Sequence, residues 1–489
     1  MVFKPKCPNR QPTHHHFFIK LKVIKMIIFV AILFVEILMY RNAPQTMDNT
    51  FMLNCLVLVL FQLFVFFISK KKKCYNIKKI YIRHAPIFIL CFFIVFFQSD
   101  VDYILGFVDT TARRLWIDTT VVCKAMSLSS MALSSILLGY SLYQKYETKK
   151  NRIINCKYIY LCRGKYFLCF LCFIMLGIYL LFVPKEFLHG GYGGGTDRGW
   201  VSVILVLLQA VMISMFALYC YDYKNRNSTN SYWKDLSLPL FASALYIIII
   251  LVTGRRTEAI RILLLIVISY SYVMGRNASR KLIVGGLLAG MFAMSLVGVL
   301  RSGKVKSLSE GVSTGTTTET LSFSPLTNEL AYSVNTLHIA LSNFPDVVNY
   351  NYGLTFLSPF CVLVPGLDRL YTSFIQETGL MTRSEDVITT LEFGPNPSYG
   401  LGTSIVADVF ISFGPIGVVI VFILLGVFIR YLEVGTFCLK KSPYFLVLSF
   451  GCCSQFMFAC RGSVAILFLS WSYATILTFL FTKRYKTVC

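Results

Sequence analysis

Arginines in three separate parts of a strongly apolar chain have the chemistry to hold a phosphate. Arg255 and Arg256 stand in Gly254-Arg255-Arg256-Thr257-Glu258-Ala259, Arg301 ends a long apolar run, and Arg461 lies in Cys460-Arg461-Gly462-Ser463. Each sits at the edge of an apolar segment, where an unpaired guanidinium costs ~2.5 kcal/mol or more. Convergence of several favours an anionic ligand, because the planar five-donor fork of arginine matches phosphate oxygens. Each alone has an ordinary alternative in a nearby carboxylate or a lipid headgroup. Glu258 and Arg261, three residues apart, can form an internal bridge on one helix. The group best placed to take a proton from a hydroxyl is Asp408, in Gly402-Thr403-Ser404-Ile405-Val406-Ala407-Asp408, with Glu258 and Glu329 weaker choices.

Other chemistry-bearing groups carry less. Asp100-Val101-Asp102 has the spacing of a cation-binding pair, but two acids around an apolar residue are common in loops. His338, beside Leu337, has the right type for a base, although a surface or interfacial histidine is the plainer reading. Cys169 and Cys172 have zinc-like spacing inside an apolar run without partners, which makes them packing residues; His14, His15 and His16 form a weak metal tract. Nearly all 16 cysteines fall in apolar or basic segments, so no disulfide framework is implied. Gly190 to Gly195, followed by Thr196, Asp197 and Arg198, lacks a preceding strand and the spacing of a phosphate turn. It reads as a hinge, with Tyr192 and Trp200 available for sugar stacking. Neither a metal nor a cofactor is expected.

The elements that must position these residues are membrane helices. Only 14% of the 489 residues are charged and 56% are hydrophobic, whereas soluble domains carry about a quarter charged residues. Stretches of roughly 17 to 25 apolar residues occur at about 12 places, near 23–40, 51–69, 84–99, 115–142, 166–184, 200–221, 236–252, 258–274, 282–300, 403–430, 444–459 and 463–482. The fold class is therefore an all-α polytopic membrane protein. The net charge of +24 does not signal nucleic acid, because roughly 32 of the 47 basic residues fall in alternate connections and at both ends. The positive-inside rule makes those segments, and hence both termini, cytoplasmic, and the first apolar stretch reads as a retained helix.

Three regions follow: a nine-span region over 1–300, a long periplasmic loop over 301–402 and a three-span region over 403–489. The loop is not a plain linker. Ser324-Pro325 starts a helix whose stripe of Leu326, Leu330, Val334, Leu337 and Leu341 ends before Pro345 and suits the membrane surface or the bundle. Residues 353–365 are apolar but too short to span, as an interfacial or re-entrant segment would be. The stretch from Thr382 to Leu401, with Pro395, Pro397 and Gly400, reads as a mobile loop able to close over a substrate.

Arginines outside the cytoplasm narrow the chemistry. No nucleotide sugar is available there, so glycosyl transfer must use a lipid-linked donor whose phosphate is already a leaving group. Arginine charge can then stabilise the departing pyrophosphate in place of a metal. The alternatives are a ligase using the same donor, and a lipid-linked oligosaccharide flippase or other transporter. A transporter should show paired halves and charge near the midplane, whereas here Lys124 is nearly alone at depth and the halves differ by a loop of about 100 residues.

From about residue 240 onward the chain resembles the Wzy-type O-antigen polymerases, or oligosaccharide repeat unit polymerases. The likeness rests on Gly254 to Ala259, the Leu300-Arg301 exit, Tyr352-Gly353-Leu354-Thr355 and the run to Pro365, Gly402 to Asp408 leading into Phe413-Gly414-Pro415-Ile416-Gly417, and Arg461-Gly462-Ser463. The resemblance implies a metal-independent glycosyltransferase with a GT-C-like bundle at the periplasmic face of the bacterial inner membrane. Its donor and acceptor would both be undecaprenyl-pyrophosphate-linked glycans, the growing chain passing en bloc to the incoming unit, alongside a chain-length regulator and a flippase of the same pathway. By that likeness Arg301 and Arg461 act in catalysis with Asp408, while Arg255, Arg256, Glu258, Tyr352 and Ser404 bind substrate. The family more often has Glu where Asp408 stands, and its positive residue after the loop proline is replaced here by Gly366 and Leu367.

Overall fold

A computed structural model describes residues 13–68, 83–108, 110, 116, 118–143, 158–162, 164–183, 199–226, 232–253, 256–274, 327–361, 366–376, 381–397, 400–437 and 442–486. Helix dominates. The chain forms α1 (Thr13–Arg41), α2 (Asn49–Phe67), α3 (His84–Phe96), α4 (Gln98–Ile104) and α5 (Val122–Leu142). Strand β1 (Tyr158–Cys162) precedes α6 (Lys165–Phe182), α7 (Gly199–Asn225), α8 (Ser237–Val252) and α9 (Arg256–Met274). After residue 327 come α10 (Asn335–Asn343), α11 (Leu354–Cys361), α12 (Leu367–Gln376) and α13 (Ser384–Phe393). The chain continues through α14 (Ile405–Phe437), α15 (Pro443–Ser454), α16 (Phe456–Cys460), α17 (Trp471–Leu480) and β2 (Thr482–Lys486).

Six of these, α1, α2, α5, α6, α7 and α14, are long and apolar enough to cross a membrane. α3 and α4 make a seventh that bends by 55° at Phe97. The other expected spans that are described are helical: α9, and the shorter or interrupted α8, the α15–α16 pair broken at Gln455, and α17 entered through the 3₁₀ turn Val464–Phe468. The stretch 282–300 lies outside the described residues. Two of the described elements are strands. β1 and β2 pair antiparallel, Tyr158 opposite Lys486 and Cys162 opposite Thr482, and tie the chain's end to the connection before α6.

Packing at the centre depends on glycine at two positions. A Cβ on Gly139 of α5 would lie 2.0 Å from the carbonyl oxygen of Ile423, and one on Gly426 of α14 would lie 2.1 Å from that of Ile136. The two backbones therefore touch, the arrangement by which membrane helices gain van der Waals contact where lipid offers no hydrophobic incentive. Polar pegs lock register elsewhere. The buried Glu36 of α1 accepts from Gln62 of α2 at 3.2 Å and from Ser130 of α5, while Ser134 donates to Gln62 at 2.7 Å.

At one end of the bundle, basic side chains find partners. Glu433 accepts from Arg83 (3.1 Å), Arg430 (2.8 Å) and the Tyr140 hydroxyl (2.7 Å), and Lys165 pairs with Asp222 at 2.6 Å. With β1 and β2 this is the basic end. Glu433 is thus the shared carboxylate of this end, with Arg430 also bonded to the Tyr140 hydroxyl at 2.8 Å and Arg83 partly open to solvent.

The opposite end is built by the described residues of 327–404 and the start of α14. The stripe through Leu330, Val334, Leu337 and Leu341 is helical and buried against α5, α14 and the bent α3, not laid on the membrane, and a 3₁₀ turn at Tyr332–Val334 interrupts it. Ser324, Pro325 and Leu326 lie outside the described residues. The expected mobile loop over 382–401 is corrected by α13. Val387 and Ile388 are buried and Leu391 partly so, one face at helical spacing that packs on α10 and α14. Proline and glycine only punctuate its end, where Gly394 takes a positive φ of 81° and its N–H bonds Thr390.

Candidate active site

Asp408 was expected about one and a half turns inside a continuous span. The structure places it on a separate short helix, because α14 is broken at Gly414 (φ 67°, ψ −167°). The break follows from the sequence. Pro415 has no N–H, so the carbonyl of Ile411 loses its i+4 donor. The backbone N–H of Asn351 supplies the missing bond at 3.0 Å. Around it, Thr355 and Ser412 share a hydrogen bond of 2.9 Å, the Tyr350 ring covers the place where a Gly414 side chain would project, and Phe356 meets Phe413 edge to face. Residues 350–356 thus brace the short helix 405–413 at an angle that a straight span would not give.

On that helix Asp408 is fully buried, and neither carboxylate oxygen has a hydrogen-bond partner among the described residues. Ser384, at the start of α13, lies beside the carboxyl but outside hydrogen-bonding geometry, and the Glu385 carboxyl is close enough to act on it as a like charge. Ser404, one turn earlier, is equally buried. Its carbonyl accepts the Asp408 N–H at 2.8 Å, while its hydroxyl has no partner among the described residues. Buried polar atoms left in this state are where a ligand or water completes the set.

Arg461 ends α16, and its Nε donates to the Ser333 hydroxyl at 2.8 Å, joining the turn before α17 to the 3₁₀ turn before α10. The Ser463 hydroxyl, two residues on, is buried without a partner among the described residues. α9 packs against α16, so the first residue of α9, Arg256, belongs to this same end. The side chain of Arg256 and all of Arg255 and Arg301 lie outside the described residues, as do the Gly190 to Gly195 segment and the Glu329 side chain. Tyr352 has φ 47° and is 83% exposed, at the bend that braces the Gly414 break.

Glu258 is committed to internal bonds. It receives two bonds of 2.9 Å from Arg261 and one from Gln209, and the Arg261 guanidinium lies 3.5 Å over the ring of Phe458. Gln209 also accepts from Arg261 (3.1 Å) and Ser470 (3.1 Å), and Gln455 closes the network. This network holds α7, α9, α16 and the approach to α17 together. Gln209 and Gln455 escaped the sequence reading, although a glutamine inside an apolar run is the available signal.

His338 is buried, not superficial. Its ring stacks on Trp116 at 6.2 Å, both ring nitrogens lack partners among the described residues, and burial lowers its pKa to about 4 against the opposing charge of Asp118. Burial of the Asp118 carboxyl is outweighed by hydrogen bonds from Ser342 (2.6 Å) and Thr120 (2.6 Å), which hold it below its usual range. Asp100 and Asp102 sit on α4, where residues two apart project to roughly opposite sides and do not converge on one ion. Among the described residues no cluster of three metal-ligating side chains occurs.

A bundle of long apolar helices, with the buried Asp408 carboxyl and Arg461 at one end and both positioned by a long inter-helix segment, defines an all-α polytopic membrane protein. The sequence matches the family of the O-antigen polysaccharide polymerase Wzy over residues 22–489, nearly the whole chain, and the protein belongs to that family. No curated protein and no solved structure matches it.

Proposed function

We propose that this polymerase joins undecaprenyl-pyrophosphate-linked oligosaccharide repeat units into O-antigen or a related surface polysaccharide at the periplasmic face of the inner membrane. The end of the bundle opposite the basic one would face the periplasm, with both termini cytoplasmic. The growing chain is transferred en bloc. A hydroxyl at the non-reducing end of the incoming unit attacks the anomeric carbon of the growing chain, the bond to pyrophosphate breaks, and lipid pyrophosphate departs.

Asp408 accepts the hydroxyl proton. Arg461, Arg301, Arg255 and Arg256 hold the two pyrophosphates, their fixed charge taking the role a metal has in other transferases. Ser404 and Tyr352 contact the sugars, and Glu258 acts by fixing Arg261 and Gln209. The observation that carries this reading is the Asp408 carboxylate, wholly buried yet unpartnered among the described residues, on a helix that the surrounding segment holds away from the straight span.

The test is turnover of a purified lipid-pyrophosphate repeat unit by the purified enzyme in the presence of a chelator. Lengthening of the glycan is the expected result. No lengthening, or recovery only on addition of a divalent metal, would overturn the mechanism.

A further inference from the structure

The segment that braces the site also carries an apolar surface that the bundle does not cover. In α12, Leu367, Leu370 and Phe374 fall within one narrow arc of the helix, and Leu370 and Phe374 are 68% and 74% exposed. The adjoining arc is occupied: Ile375 is buried and the Tyr371 hydroxyl donates to the Leu354 carbonyl at 2.8 Å, which fixes α12 on α11. The remaining side is polar, with Asp368, Arg369, Thr372 and Ser373.

The depth of this surface can be counted along α14. From Pro415 to Phe437 the helix runs about 34 Å, enough for a hydrocarbon layer of about 30 Å. Its lipid-facing stripe begins with Phe413 and Ile416 and continues through Ile420 and Leu424. α11 meets this stripe at its first residue, through the Phe356–Phe413 ring contact, and exposes Leu357 beside it. α12 is tied to α11, so its apolar arc continues the lipid-facing surface at the outer limit of the hydrocarbon. Arg369 and Ser373, exposed on the other side of α12, face away from that arc, as polar residues do in helices that rest in an interface.

We infer that α12 lies in the membrane leaflet nearest the site, with Leu367, Leu370 and Phe374 among acyl chains. The inference is independent of which sugars are joined. On its polar side Asp368 pairs with Arg383 at 3.2 Å, and Arg383 immediately precedes Ser384, the residue beside Asp408. The membrane contact therefore fixes the start of α13 over the buried carboxylate, and holds the site at the depth of a lipid-linked pyrophosphate.

The test is photo-crosslinking of the full-length protein in nanodiscs made with radiolabelled phosphatidylethanolamine and phosphatidylglycerol. Phe374→p-benzoyl-phenylalanine and Leu370→p-benzoyl-phenylalanine are compared with the same probe at Ile416 on α14 and at Arg369 on the polar side. Lipid label at Phe374 and Leu370 close to that at Ile416 and several-fold above Arg369 is expected. Label no higher than at Arg369, or crosslinking to a second copy of the chain in place of lipid, would overturn the inference. Because the readout is lipid attachment, it stands or falls separately from the glycosyl-transfer reading.

Discussion

Asp408→Asn separates a proton acceptor from a structural residue with one atom exchanged. The amide has nearly the same volume, and the carboxylate it replaces makes no hydrogen bond to the described residues that could be lost. Stability should therefore change by no more than about 1 kcal/mol, the scale of a single net hydrogen bond. Catalysis should fall far more. A general base contributes roughly 10²–10⁴-fold, or about 3–5 kcal/mol of barrier. The assay is the initial rate of glycan lengthening on a purified lipid-pyrophosphate repeat unit, read beside thermal unfolding of the same preparation. Asp408→Glu, which keeps the acid, should recover part of the rate. An Asn variant that retains more than a tenth of the wild-type rate would remove Asp408 from the proton transfer. Parallel loss of rate and stability would make it a packing residue instead.

Arg255→Ala, Arg301→Ala and Arg461→Ala should each abolish polymer on the cell surface at unchanged protein levels, whereas Ser333→Ala, which removes only the partner of the Arg461 Nε at 2.8 Å, should leave polymer present. Retained polymer in all three arginine variants would return those residues to structural duty. Gly414→Ala forces a side chain into a backbone region reserved for glycine, 3.1 Å from the Tyr350 ring, and should cost about 1–3 kcal/mol, seen as a lower unfolding temperature; an unchanged temperature would show that the break tolerates other residues. His338 has its pKa lowered to about 4 by burial, so the unfolded state takes up the proton first as pH falls. Stability should decline from about pH 6.5 toward pH 4, by about 3 kcal/mol in all from this one group, and His338→Gln should flatten that decline; identical pH profiles would contradict the burial of a neutral ring.

The residues that misled the sequence reading share a physical feature. Thr382 to Leu401 looks mobile because its prolines and glycine are conspicuous, yet three apolar residues at helical spacing make it pack. Asp408 looks like part of one span because hydropathy does not register a break of one residue at Gly414. Glu258 looks like a ligand contact or a bridge with equal justice from spacing alone, and only the positions of Gln209 and Gln455, contributed by α7 and by the break between α15 and α16, show how the pair is used.

Helix content, the membrane, the approximate spans and the segregation of basic residues were determined by the sequence itself. Each depends on sums over neighbouring residues, and a lipid layer reads those sums nearly independently of the rest of the fold. The tertiary structure alone decided where Asp408 points, what replaces the bond that Pro415 cannot make, and which end of the bundle gathers Arg461, Ser333 and the start of α9. Those outcomes depend on contacts between residues separated by tens to hundreds of positions, such as Asn351 with Ile411 and Ser333 with Arg461. No local sum contains them, because a missing donor at one place is satisfied only by a segment that the rest of the chain has already brought there.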